Sequence, residues 1–212
     1  LPALMSGAIP IQVAVGNYDL GICGLDWIEE LLAKYPHSAL VKVRDLGYSR
    51  HDLCAAANSR GKTLDELRQS YDSLRLVSEY PNLAESFALK FRLRRFKVFP
   101  VWGVAELYPP ESAELALIPQ TSPETLSRYG LVSLATVLRS SAFLIANKSS
   151  WQHKEMDPLL GRLCNAKAVT KEERGREPVV KAYPLSSLPD LAPYPKGSVR
   201  LALPHGHQQK PA

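Results

Sequence analysis

The run Leu20-Gly21-Ile22-Cys23-Gly24 is small and apolar enough for a buried strand, and it gives way at once to Trp27-Ile28-x-x-Leu31-Leu32, whose three- and four-residue spacing belongs to an amphipathic helix. This switch from strand period to helix period recurs down the chain and restricts the fold more than any other feature. Asp26 is predicted to cap the first helix, which should stop near Tyr35-Pro36 because a residue before proline avoids the helical region. Residues 40–43 and 53–57 read as strands. Thr63 and Glu66 have the spacing of a capping box, so a helix should start there. Residues 74–78 form the next predicted strand, ended by Glu79-Tyr80-Pro81-Asn82-Leu83 and followed by a helix to about residue 89. Strands at 96–101, 115–118 and 138–147 alternate with short helices at 104–107 and 123–129, and a terminal helix is expected over 151–163. Residues 9–15 alternate only weakly. Strands separated by helices at this rate predict an α/β protein with a largely parallel sheet and helices on both faces. Ligands in such folds sit beyond the carboxyl ends of strands, where EYPNL (79–83) and QTSPETL (120–126) both fall.

Composition excludes several classes. Of 212 residues, 45% are hydrophobic and 22% charged, as in an ordinary soluble domain. Apolar stretches break well before 18 positions and LPALMSGAIP lacks a basic leader, so neither export nor membrane insertion is expected. Cys23, Cys54 and Cys164 lie far apart with no CxxC pair, which suits reduced thiols in a cytoplasmic protein. The formal charge of +5 suits anionic partners, phosphorylated metabolites as readily as nucleic acid. KFRLRRFK (90–97) reads as a helix end feeding a strand, and no nucleic acid partner is expected from it. Ser49-Arg50-His51-Asp52 holds the letters of a catalytic triad, but neighbouring residues cannot adopt that geometry and a connecting turn is expected. Residues 165–197 mix charge and proline as a linker does, and one strand returns at 199–204. His205 and His207 follow it without further ligands for a metal.

Several stretches, in order, resemble the ATP phosphoribosyltransferases that open histidine biosynthesis: VAVGNYDLGICGLDW (13–27), SEYPNL (78–83), and a third block from VAELYP (104–109) through QTSPETL to GLV (130–132) and SSAFLIANK (140–148). The resemblance covers roughly residues 4–164. It implies a two-lobe, periplasmic-binding-protein-like α/β fold with mostly parallel sheets. Lobe one would hold 1–57 plus 132–164 and lobe two 58–131, with a linker at 165–197. Residues 198–212 are similar to the family's amino-terminal strand, as a second copy or a permuted one. No regulatory domain is expected after the terminal helix, so the resemblance implies the short form. The implied reaction moves phosphoribosyl from phosphoribosyl pyrophosphate to N1 of ATP with Mg2+. Implied partners are the two substrates, a homo-oligomer and a histidyl-tRNA-synthetase-like regulatory subunit.

Carried over by motif, Thr121, Ser122 and Thr125 would hold phosphate and Glu106 would be the catalytic acid on ribose or metal, while Gly24, Asp26 and Tyr80 would lie near substrate. No protein metal ligand is implied. Alternatively Gly24 is a tight strand–helix turn, Asp26 a cap, Tyr80-Pro81 a turn, and Glu106 a solvated carboxylate at a helix start. The chain departs from the family at the phosphate loop, whose pattern is Asp, three residues, Ser or Thr, then Gly-x-Thr-Leu. Ile118, or Pro119, stands at the aspartate and Pro123 at the glycine, and Glu124 adds charge. Proline lacks a donor. At an effective dielectric constant of about 20, two like charges about 5 Å apart repel by roughly 3 kcal/mol, on the order of a hundredfold in affinity. These departures set a second function beside the transferase: a non-catalytic binding or assembly subunit of the same fold.

Overall fold

The computed structural model describes residues 7–58, 63–156, 160–161 and 197–203. The apolar run expected as a strand forms β1 (Leu20–Gly24). It pairs antiparallel with β8 (Ala142–Asn147) on one side and parallel with the short β9 (Leu201–Ala202) on the other. β2 (Leu40–Asp45) lies outside β8 and completes a four-stranded sheet of order β2-β8-β1-β9. Residues 8–14 are not extended but helical, as α1 (Ala8–Ala14). Ile9 and Val13, one turn apart, seat α1 on Gly21, where a Cβ would stand 2.8 Å from Ile9 and 2.9 Å from Val13. The glycine lets the helix lie flush.

A five-stranded sheet carries the rest, in the order β5 (Phe96–Pro100), β4 (Leu74–Ser78), β6 (Leu115–Gln120), β3 (His51–Asn58) and β7 (Leu131–Ser140). Alternation along its strands divides two cores. Leu53, Leu76, Leu115 and Leu117 face α3 (Leu64–Ser70) and α4 (Pro81–Lys90), while Ala56, Val77, Ala116 and Ile118 face α5 (Pro123–Ser127) and a 3₁₀ turn at Ala105–Leu107. The capping box at Thr63 and Glu66 is present.

Strand direction departs from expectation. Among the described residues, four of the seven strand pairings are antiparallel (β1–β8, β2–β8, β3–β6, β3–β7), so the sheets are mixed rather than mostly parallel. The arrangement follows from strand order: β8 lies between β1 and β2, β3 lies between β6 and β7, and each runs against both of its neighbours. The chain crosses between the sheets at residues 46–50 and again at Ser141. By pairing, therefore, β3 and β7 belong to the larger sheet, not to the first lobe where boundaries at 57 and 132 would set them.

The expected terminal helix begins earlier, as α6 (Lys148–His153), whose cap Asn147 accepts from the backbone N–H of Ser149 and Ser150 at 3.0 and 3.1 Å. β9 is held by Asp19, a buried carboxylate that accepts from Ser150 Oγ (2.6 Å), Lys154 Nζ (3.0 Å) and Arg200 N (2.8 Å). Burial alone would raise its pKa, but these bonds outweigh it and hold Asp19 below the usual carboxylate value. Cys164, His205, His207 and residues 165–196 of the expected linker lie outside the described residues. Among the described residues no helix is long and apolar enough to cross a membrane.

Candidate functional site

Where the chain crosses between the sheets, the carboxyl end of β6, the start of β3 and the end of β7 meet around a cleft of about 570 Å³. Thr121 and Ser122 face it from β6, Arg50 and His51 from the first crossing, and Arg139 from β7. Arg50 and Arg139 are exposed side chains. Two carboxylates, Asp45 and Asp52, share the lining. Asp45 is engaged: it accepts from Ser141 Oγ at 2.7 Å and Gly47 N at 2.8 Å, and the Ser141 bond first, then Gly47, lowers its pKa. Asp45 also interacts electrostatically with Arg50, so the cleft carries both signs of charge.

Behind one wall of the cleft lies Asp26, only 2% exposed. Gly24 rather than Asp26 is the N-cap of α2 (Leu25–Lys34), and Asp26 sits in the first turn with its carboxylate turned inward. Tyr80 Oη donates to Oδ2 at 2.6 Å and Ser140 Oγ to Oδ1 at 2.9 Å. The backbone N–H of Asp26 returns a bond to Ser140 Oγ at 3.2 Å. His51 Nε2 stands 3.4 Å from Oδ2 as an ion-pair partner, while its Nδ1 lies 3.2 Å from the Ser49 carbonyl, which fixes that nitrogen as a donor. Burial would raise the pKa of Asp26, yet contact with His51 and the Tyr80 and Ser140 bonds bring it below the ordinary value. The carboxylate in turn raises the pKa of His51, against burial. Burial and the neighbouring carboxylate push the Tyr80 hydroxyl up, which keeps it a donor.

A Cβ at Gly24 would collide with the Asp26 carboxylate. Gly24→Ala should therefore destabilise the protein by about 1–3 kcal/mol, as other overpacked substitutions do, read as a lower midpoint in chemical denaturation with an unchanged slope. One helix turn on, Glu30 accepts from Asn82 N (2.9 Å), Asn82 Nδ2 (2.6 Å) and Leu83 N (2.8 Å), so a carboxylate of α2 caps the amino end of α4 across the two sheets. Burial raises its pKa and the α4 donors partly offset that.

The remaining expected residues are divided. Glu106 and Thr125 line a second pocket of about 280 Å³ with Glu79, Ile118 and Tyr129, on the other side of loop 121–125. Thr125 Oγ1 reaches Ser122 Oγ (3.2 Å) and Thr121 Oγ1 (3.4 Å) and so links the other two hydroxyls, and Ser122 Oγ also donates to Glu124 at 3.2 Å. Gly24, Asp26 and Tyr80, expected near substrate, come together behind the surface, and none lines the cleft or the pocket. Arg50, His51, Arg139 and Ser140 escape a reading of the sequence. Of the stretch 49–52, expected as a connecting turn, Ser49 (φ 53°) and Arg50 form the connection, while His51 and Asp52 already belong to β3, and His51 faces Asp26.

The family model described as ATP phosphoribosyltransferase (HisG) matches residues 6–165. The ATP phosphoribosyltransferase of Campylobacter curvus is 30% identical over 144 residues, covering 68% of this chain and 65% of that protein. That of Pelodictyon phaeoclathratiforme is 29% identical over 146 residues, covering 66% and 46%. The chain thus spans from about half to two thirds of the relatives it matches. Among solved structures, the ATP phosphoribosyl transferase (HisG:HisZ) complex from Thermotoga maritima superposes with TM-score 0.63 at 18% identity, covering 76% of this chain and 74% of that one. The periplasmic aliphatic sulphonate binding protein SsuA from Escherichia coli does so with TM-score 0.51 at 13% identity, covering 80% and 62%. The two sheets and their helices are accordingly a two-lobe, periplasmic-binding-protein-like α/β fold. With three quarters of its length inside the family match, in the order its motifs follow, the chain belongs to the ATP phosphoribosyltransferase family.

Proposed function

We propose that the chain transfers the phosphoribosyl group of phosphoribosyl pyrophosphate to N1 of ATP, in the cytoplasm, as the first step of histidine biosynthesis. The observation that carries this reading is the cleft in which Thr121 and Ser122 meet Arg50 and Arg139, inside the segment matched by the family. Such a transfer develops positive charge on the ribose carbon and negative charge on the departing pyrophosphate, so a protein contributes chiefly by positioning and by stabilising an anion. The two guanidiniums supply that stabilisation, and the hydroxyls of Thr121 and Ser122 orient a phosphate between them. Asp26, Tyr80 and Ser140 act behind the surface by holding His51 in place. The hydrogen-bond-donating part of the ligand faces Glu79 and Glu106, on the side of the loop where Thr125 sits.

The magnesium implied by the family does not fit a protein cage: among the described residues no group of three or more His, Cys, Asp or Glu side chains is placed to hold a metal. It would arrive on the substrate's diphosphate. The Thermotoga maritima relative is solved as a complex with HisZ, which supports a regulatory partner for this chain.

The loop departures act on rate more than on the fold. Ile118 is buried and leaves no carboxylate at that place, and Pro123 removes one donor. Glu124 is exposed, so its repulsion is screened nearly as in water, where like charges about 5 Å apart cost only about fourfold in affinity rather than a hundredfold. Glu124→Ser should therefore tighten phosphoribosyl pyrophosphate by about fourfold, measured by calorimetry. The test of the function itself is turnover: with ATP, phosphoribosyl pyrophosphate and magnesium the purified chain should generate the ultraviolet-absorbing product. No turnover, while phosphoribosyl pyrophosphate still binds, would favour the binding subunit.

A further inference from the structure

β5 is the last strand of its sheet: it pairs in parallel with β4 on one side, and among the described residues no strand lies along the other. The backbone N–H and C=O groups that point outward from it are therefore open to another chain. Phe96 and Val98 pack on the core beneath α4, so by alternation Lys97 and Phe99 stand on the opposite face of the strand, both exposed. Trp102 follows at 84% exposure, more than any other large apolar side chain among the described residues. The approach to the strand is basic. Lys90, Arg92, Arg94, Arg95 and Lys97 are all exposed, no acid interrupts them, and among the described residues none of these side chains forms an ion pair or hydrogen bond. Arg92 holds φ 54° in the turn that ends α4, a left-handed position where glycine is the usual residue, so a cation is kept there against local preference. Beyond Pro100 the sign of charge changes: the position of a Cβ on Gly103 lies 3.9 Å from Glu79 Oε1, and Glu106 follows in the chain.

We propose that the open edge of β5 is a docking site for an acidic, extended segment of another protein, which adds a strand to the sheet. Main-chain bonds to β5 supply the affinity and side chains supply the choice. The carboxylates of the segment lie toward Arg94, Arg95 and Lys97, and its apolar residues lie on Phe99 and Trp102. Charge selects this occupant over two others. A second copy placed edge to edge would bring both sets of cations together, and like charge opposes that. A single-stranded nucleic acid is charged along its whole length, so it would meet Glu79 at the far end of the edge, and it makes no use of free strand backbone. The surface is separate from the substrate cleft: none of Arg94, Arg95, Lys97, Phe99 and Trp102 lines the cleft or the pocket beside Glu106.

The test is fluorescence anisotropy of a labelled peptide that alternates glutamate with valine, titrated with the full chain. Binding should saturate, and should weaken as added salt screens the surface charges. The same peptide N-methylated throughout keeps every charge but cannot donate to the edge, and it should bind about tenfold more weakly for want of its main-chain bonds. Arg94→Glu/Arg95→Glu should weaken the unmodified peptide by about tenfold as well. Its denaturation midpoint should match the wild type, because both side chains are exposed. No saturable binding, equal binding of the methylated peptide, or tighter binding of single-stranded oligothymidylate than of the peptide would overturn the proposal. Self-association of the wild type that the variant abolishes would overturn it in favour of a second copy.

Discussion

Asp26→Ala should destabilise the protein by about 3–5 kcal/mol, the usual cost of removing one member of a buried ion pair. Asp26 is 2% exposed, and its loss strands three groups at once: the Tyr80 hydroxyl, the Ser140 hydroxyl and the His51 imidazole. Thermal unfolding should fall by roughly 10 °C, at about 2–4 °C per kcal/mol for a protein of this size. The effect also depends on pH with a definite sign. The pKa of His51 is raised above 6.5, so its contribution is complete below pH 6.5 and is lost as pH rises through the higher folded value. The pKa of Asp26 is lowered below 3.8, so its contribution holds above pH 3.8 and is lost as pH falls through the lower folded value. Asp26→Asn keeps hydrogen-bonding capacity but not the charge. The gap in unfolding free energy between wild type and Asp26→Asn should therefore be widest near pH 6 and narrow toward pH 9. A gap that widens with rising pH would mean that His51 is not the partner on which Asp26 depends.

The second large effect belongs to binding. Arg50→Ala/Arg139→Ala should weaken phosphoribosyl pyrophosphate by about a hundredfold, about tenfold per arginine. That is the lower end for charge-assisted bonds to phosphate, because both side chains are exposed. Stability should change little, since neither guanidinium is buried in the core. The pairing of unchanged unfolding with lost affinity is the signature, read by calorimetry beside denaturation. Affinity within about threefold of wild type would remove the arginines from the site.

What the sequence makes legible follows from how local the cause is. β1 with α2, the Thr63 capping box, and β4 with α4 are written in contiguous periods and caps, and they form where those signals stand. α1 hides because Ile9 and Val13 give a single helical repeat with Pro10 between them, too little to separate from alternation. β7 hides over residues 131–137 because it is an edge strand with much of its length in solvent, so its side chains do not alternate cleanly. The hydroxyls of the loop and the glycine–aspartate pair are contiguous and can be picked out by motif. The charges that face the hydroxyls are not, because Arg50 and Arg139 meet only after both crossings between sheets are made. Ser140 lies 114 residues from Asp26 in the chain and one hydrogen bond away in space. Direction of pairing escapes for the same reason: it is set between strands far apart in the chain, β8 against β1 and β2 and β3 against β6 and β7.

The most direct measurement of the central claim is a crystal structure of the chain soaked with phosphoribosyl pyrophosphate and magnesium. A phosphate group between Arg50 and Arg139, within hydrogen-bond reach of Thr121 and Ser122, is the result expected. A saturated crystal whose cleft holds no phosphate, or whose ligand lies wholly on the Glu79 and Glu106 side of the loop, would contradict it.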